Sequence, residues 1–309
     1  MRDQADELRL LVRQQIVDGS GSMATCGTPR RAFPTDGNAL DGVPTRRGAL
    51  RKIVVSAGKG GVGTTTVAVN LAVSLGRMGC RTILVDADLS GADATWLCGL
   101  EFPETIADVL SGRRNVYEVL RPGPGGIQVV PGVWSPAAMP DCSPSGQQRL
   151  LRQLDQLGRH ADWVILDAGS GLNHVVRRFW EAADQVLLAT TGEAVAIMDT
   201  YAAIKLFLGE FPRAFVQTVV NQSSGDAEAA AVHARLAMAA RRFLGMTLTS
   251  AGSLPWDAAV ALAASAGKPL AFGHANSPAA TAVDRLAEQL LISASAEHEN
   301  EAVTETATA

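Results

Sequence analysis

The chain has 309 residues, of which 47% are hydrophobic, and a formal net charge of −4. That suffices for one large α/β domain with tails or for two small domains, and it excludes a broad basic footprint for nucleic acid. Cys26, Cys80, Cys98 and Cys142 form no C-x-x-C pair and the five histidines lack metal-ligand spacing, so neither a disulfide frame nor a zinc site is expected.

Residues 3–17 read as an amphipathic helix. Asp3 can cap it, Asp6 and Glu7 suit its first turn, and Ala5, Leu8, Val12 and Ile16 form a stripe that Leu11 widens. So short a helix is marginal alone and needs a surface to bury that stripe. Residues 18–50 are rich in Gly, Pro, Ser, Thr and Asp, the composition of a flexible linker with a root-mean-square span of roughly 30 Å.

From residue 51 the pattern alternates. Apolar strands are expected at 52–57, 81–86, 126–131, 162–167, 185–190, 215–221 and 248–254. Helices are expected at 64–78, 146–158, 174–183, 197–209 and 226–244, with single turns near 104–110 and 115–120. This alternation predicts an α/β fold, a mostly parallel twisted sheet with helices on both faces, spanning residues 51–294. A last helix is expected at 279–293, then a disordered acidic tail over 295–309. No apolar run approaches the ~20 residues of a membrane span, and the charged N-terminus does not read as a signal peptide, so a cytoplasmic protein is expected.

Residues 53–66 carry the chemistry. The apolar run from Ile53 enters a loop holding Gly58, Lys59, Gly60, Gly61, Val62 and Gly63, and Thr64, Thr65 and Thr66 open the next helix. Glycines let the backbone bring its N–H groups against an anion, and the helix N-terminus adds partial positive charge. In the G-x-x-x-x-G-K-[ST] phosphate loop a lysine would stand where Thr64 does.

Gly58, Gly60 and Gly63 also spell G-x-G-x-x-G, with Asp86 about 23 residues later, which is the dinucleotide-binding fingerprint. Three features favour a nucleoside triphosphate instead. Lys59 lies inside the loop, the threonine triple offers a hydroxyl for Mg²⁺, and Asp167 ends a second buried strand before a glycine-rich turn. That carboxylate suits a magnesium-bound water and a switch that senses the γ-phosphate.

Gly-Lys-Gly-Gly-Val-Gly at 58–63, Val-Asp-Ala-Asp at 85–88 and residues 163–171 resemble, in order, the deviant phosphate loop, first switch and Walker-B strand of the MinD/ParA family of ATPases. The resemblance implies a P-loop NTPase-like fold, ATP and Mg²⁺ as cofactors, and a homodimer with ATP sandwiched between subunits. By position, Lys59 would reach the partner's phosphates and Asp88 would position attacking water. Thr65, Asp86 and Asp167 would serve the metal. Asn221 would contact adenine, and Pro255 and Asp257 in Leu254–Asp257 would line the adenine side. The chain departs from the family at Thr64 and at Gly192, where many relatives have proline before Glu193. Loss of one charge-assisted bond at Thr64 would cost roughly 1.5–3 kcal/mol, so slow hydrolysis and weakened ATP binding are expected.

Asp3-Gln4-Ala5-Asp6-Glu7-Leu8-Arg9 reads DQAxxLR and resembles the activator segment of the flagellar-number regulator branch, the FlhG or YlxH proteins. The resemblance implies docking on FlhF, an SRP-type GTPase, with flagellar switch components as further partners. Gln4 suits orienting a water, Ala5 and Leu8 an apolar anchor, and Arg9 a carboxylate partner. No Lys or Arg follows Arg285 while five glutamates do, so membrane contact is expected to be weak or indirect, at the inner membrane or cell pole through partners. Alternatives are a non-hydrolysing P-loop scaffold and a ParA- or pilus-type positioning ATPase.

Overall fold

The computed structural model describes residues 50–134, 142–208 and 215–308, with side chains described through 295. The helix expected at 3–17, with Asp3, Gln4, Ala5, Leu8 and Arg9, and the linker of 18–49 lie outside the described residues.

Eight strands form one sheet: β1 (Arg51–Ala57), β2 (Thr82–Asp86), β3 (Arg121–Pro122), β4 (Gln128–Val130), β5 (Trp163–Ser170), β6 (Gln185–Thr190), β7 (Phe215–Ser223) and β8 (Thr249–Pro255). Their order is β3-β4-β2-β5-β1-β6-β7-β8, and every pairing is parallel except β3 with β4. A two-residue strand holding a proline carries no periodic signal, which is why β3 escapes a reading by pattern.

The helices are α1 (Thr64–Arg77), α2 (Asp93–Leu97), α3 (Ile106–Ser111), α4 (Val116–Val119), α5 (Pro144–Gln156), α6 (His174–Ala182), α7 (Ala194–Leu208), α8 (Asp226–Leu244), α9 (Ala258–Ser265) and α10 (Pro278–Thr308). Successive strand residues point to opposite faces and meet different helices. Val54, Ile83, Val85, Val164, Leu166, Val186 and Leu188 join a core with residues of α3, α5, α6, α7 and α8. Ile53, Val55, Leu84, Ile165 and Leu187 join the opposite core, built by α1, α2 and α10. Strands covered on both faces are continuous apolar runs, as the sequence shows.

Two helices were not expected. α2 has five residues, and α9 is alanine-rich with apolar residues all round, so neither shows an amphipathic period. The last helix also departs from expectation: α10 continues through Thr308 instead of giving way to a disordered tail at 295. Residues 294–308 contain alanine and glutamate and neither Gly nor Pro, so nothing in them stops a helix.

Candidate nucleotide site

The parallel strands bring the singled-out residues to one end of the sheet, where β1, β2, β5, β6, β7 and β8 run out into loops. Ligands bind at such carboxyl ends in open α/β sheets. At the centre, β1 leaves through Gly58–Gly63 into α1. Gly61 and Gly63 take positive φ values of 82° and 86°, the left-handed region that favours glycine. Gly63 is the N-cap of α1 and supplies no side-chain cap. The first N–H groups of α1 are therefore free of the usual capping oxygen, which suits an anion. Val62 is buried with Ala57, Ala189 and Ala196 beneath the loop. A Cβ on Gly58 would overlap the Asp199 carbonyl, so the loop backbone rests directly on α7.

Below the loop, Asp86 and Asp167 sit side by side in register on β2 and β5, both fully buried. Asp86 Oδ2 accepts from the Thr95 amide at 2.8 Å and its hydroxyl at 2.6 Å, and the Gly132 amide in turn donates to Thr95 Oγ1 at 2.8 Å. Asp167 Oδ1 accepts from the Gly169 amide at 3.2 Å, and the Thr65 side chain lies close enough to lower the cost of charging this carboxylate. Asp86 Oδ1 and Asp167 Oδ2 remain without a hydrogen-bond partner. Burial, reinforced by Asp167, holds the Asp86 carboxyl well above its ordinary range. Burial, reinforced by Asp88 against the hydrogen bond from Thr65, pushes Asp167 up to about 7.

Two adjacent buried carboxylates, each with a spare oxygen, fit a divalent cation. Among the described residues no three His, Cys, Asp or Glu side chains converge on one point. Mg²⁺ is usually bound through one or two protein carboxylates together with phosphate oxygens and water. Asp167, Thr65 and Asp86 are the residues that could hold it. The dinucleotide alternative fails here, because a ribose-binding acid must reach the surface and Asp86 has no exposure.

Around this centre the other expected residues divide. Asp88 is half-buried against Gly169, and its Oδ1 accepts from the Ser90 amide and hydroxyl. Its carboxylate thus stands between the loops that follow β2 and β5. Lys59 Nζ pairs with Glu193 Oε2 at 2.7 Å in the same chain. Thr64 is buried at the first position of α1, and Thr66 gives its carbonyl to Asn70 Nδ2. Gly60 lies against the Ser170 hydroxyl.

Asn221 does reach the loop, but its amide donates to the Val62 carbonyl at 2.8 Å. Asp257 is engaged elsewhere: Oδ1 accepts from Ala259 and Oδ2 from Ala279, so one carboxylate caps both α9 and α10. It fixes the turn between β8 and α9 from behind, leaving Pro255 and the exposed Trp256 at the surface of that turn. A Cβ at Gly192 would press on the end of the Glu228 side chain, whose carboxylate accepts from the Ser224 amide and hydroxyl at 2.7 and 2.6 Å.

Sequence reading passed over Glu193, Thr95 and Gln222. Glu193 and Gln222 adjoin flagged residues and could have been found by adjacency. Thr95 carries no local signal.

The chain matches the family model for an AAA domain over residues 50–208. It is 35% identical over 211 residues to the antiactivator FleN of Pseudomonas aeruginosa, covering 68% of this chain and 75% of that protein. It is 30% identical over 162 residues to the flagellum site-determining protein YlxH of Helicobacter pylori, covering 52% and 54% of the two chains. In fold it is similar to the septum site-determining protein MinD of Pyrococcus horikoshii complexed with Mg-ADP, with a TM-score of 0.67 and 22% identity over 78% of this chain and 96% of that one.

Proposed function

The chain belongs to the MinD/ParA family of ATPases, in its flagellar-number regulator branch, and on that premise we propose that it is an ATP-dependent dimerising switch setting flagellar number or placement. In this reading the N-terminal DQAxxLR segment stimulates an SRP-type GTPase of the FlhF kind. The observation that carries the nucleotide part is the juxtaposition at the end of β1. An uncapped helix N-terminus and a glycine loop lie above two buried carboxylates with unpartnered oxygens. Names of relatives such as antiactivator and flagellum site-determining protein support the regulatory part.

Each residue then has a defined task. The loop N–H groups and the α1 terminus bind the triphosphate through its charge. Thr65 and Asp167 would hold Mg²⁺, which when bound neutralises phosphate charge. Asp88, between the two switch segments, orients water toward the γ-phosphate. Lys59 leaves Glu193 to reach across to a second subunit's phosphates. The ion pair it gives up is exposed, with side-chain exposures of 36% and 67%, so parting it costs about 1 kcal/mol or less.

Titration with Mg²⁺-ATP and analytical sizing, on wild type and Lys59→Ala, tests the switch. Wild type should bind ATP and shift toward dimer, and Lys59→Ala should bind ATP and stay monomeric. A protein without ATP affinity at millimolar nucleotide would refute it.

Thr64 favours a second reading, a scaffold that holds its fold without turnover. Among the described residues no helix is long and apolar enough to cross a membrane.

A further inference from the structure

We propose that Gln222 is a positioning residue that, with Asn221, clamps the phosphate loop into its anion-receiving shape; this rests on the nucleotide-binding reading above. β7 and β8 pair regularly from Val219–Gly252 to Val220–Ser253, then resume only at Ser223–Pro255. Asn221 and Gln222 are the residues skipped, a bulge that re-aims their side chains off the sheet. Among the described residues Gln222 is the only non-glycine with a positive φ, at 56°. A straight-chain residue held there is strained, and such strain gathers at functional sites.

The strained conformation has a visible use. Gln222 Nε2 donates to the Gly61 carbonyl at 3.4 Å and Asn221 Nδ2 to the Val62 carbonyl at 2.8 Å. Two consecutive side-chain amides therefore take two consecutive loop carbonyls. In a trans peptide the C=O and the following N–H point opposite ways. Fixing the carbonyls of Gly61 and Val62 fixes the N–H groups of Val62 and Gly63 as donors facing away from the bulge. With no lysine at position 64, those amides carry more of the phosphate binding. The clamp also joins the two ends of the site, because the Trp256 amide of the base-side loop donates to the Ser223 carbonyl at 2.8 Å.

The test compares wild type with Gln222→Gly, Gln222→Glu and Gln222→Lys, reading calorimetric Kd for Mg²⁺-ATP and Mg²⁺-tripolyphosphate and the Tm of the nucleotide-free protein. Glycine accepts the positive φ but has no donor. It should weaken both ligands by the same factor, about three- to tenfold, while Tm holds or rises. Glutamate, of the same shape and without a donor, should lose at least as much. Lysine, which restores a donor, should return close to wild type. An unchanged Kd in Gln222→Gly, or a Tm that falls along with affinity, overturns the clamp. So does a wild-type protein that binds neither ligand. Wild type that binds tripolyphosphate but not ATP refutes only the ATP reading, and the clamp is then read on tripolyphosphate.

Discussion

Replacing Thr64 by lysine returns to the loop the one cation that its pattern lacks. Thr64 is 7% exposed and opens α1 directly after Gly63, so an ammonium on that side chain would join the phosphate-binding N–H groups from within the same loop. A charge-assisted hydrogen bond contributes about 1.5–3 kcal/mol, which is about ten- to hundredfold in affinity. Against this stands the crowding of a longer side chain at a buried position, typically 1–3 kcal/mol, which falls on the apo protein. The two effects separate by experiment. Thermal melting without nucleotide reads the crowding, and calorimetric titration of folded protein with Mg²⁺-ATP reads the added bond. Phosphate release at saturating ATP then shows whether turnover follows. The expected result is a Kd at least about tenfold lower with a modest loss of Tm. A folded Thr64→Lys protein whose Kd stays within about threefold of wild type would refute the reasoning. It would mean that the backbone, the metal and a second subunit's Lys59 already supply all the phosphate contact the site can use.

Three further outcomes rest on named contacts and a fourth on the N-terminal segment. Glu193→Gln releases Lys59, so dimer should form at lower protein concentration with Mg²⁺-ATP, with a stability change below about 1 kcal/mol; sizing that shows no shift counts against it. Asp257→Ala removes two helix caps and should cost about 2 kcal/mol in urea unfolding at neutral pH. Burial raises the Asp257 carboxyl, but the bonds from Ala279 and Ala259 outweigh it and hold it low. Its stabilisation is therefore complete above the unfolded value near pH ~3.9 and fades as pH falls through the folded one, so the gap between variant and wild type should close in acid. Asp167 has the opposite sign, about 7 when folded. The apo wild type should lose stability as pH rises from ~4 toward neutrality, while melts of Asp167→Asn in chelator stay flatter and its Mg²⁺-dependent ATP affinity drops. Deleting residues 1–17 should abolish stimulation of the partner GTPase and leave Mg²⁺-ATP binding intact, and undiminished stimulation would remove the activator role.

Periodicity and glycine placement were enough to find the parallel sheet, because strands buried on both faces must be apolar throughout. The phosphate loop was legible for the same kind of reason: Gly61 and Gly63 need backbone angles that few other residues tolerate. Side-chain partnerships were not legible. Asp257 stands where the family pattern puts an adenine-side residue, yet both its oxygens cap helix termini, the farther donor lying 22 residues along the chain from it. Lys59 was expected to wait for another subunit, and it rests on Glu193, 134 positions away. Neither fact has a local signature, since each depends on which loops the sheet order places together. α10 shows the converse: acidic, small-residue composition suggests disorder, while the same alanines and glutamates are sound helix formers.

The close approach at Gly58 has a mechanical meaning. With no side chain as a spacer, the peptide planes of the loop bear on the Asp199 turn of α7. A loop that shifts toward this helix would meet backbone at once, inside Ala194–Leu208, with no flexible side chain between to yield.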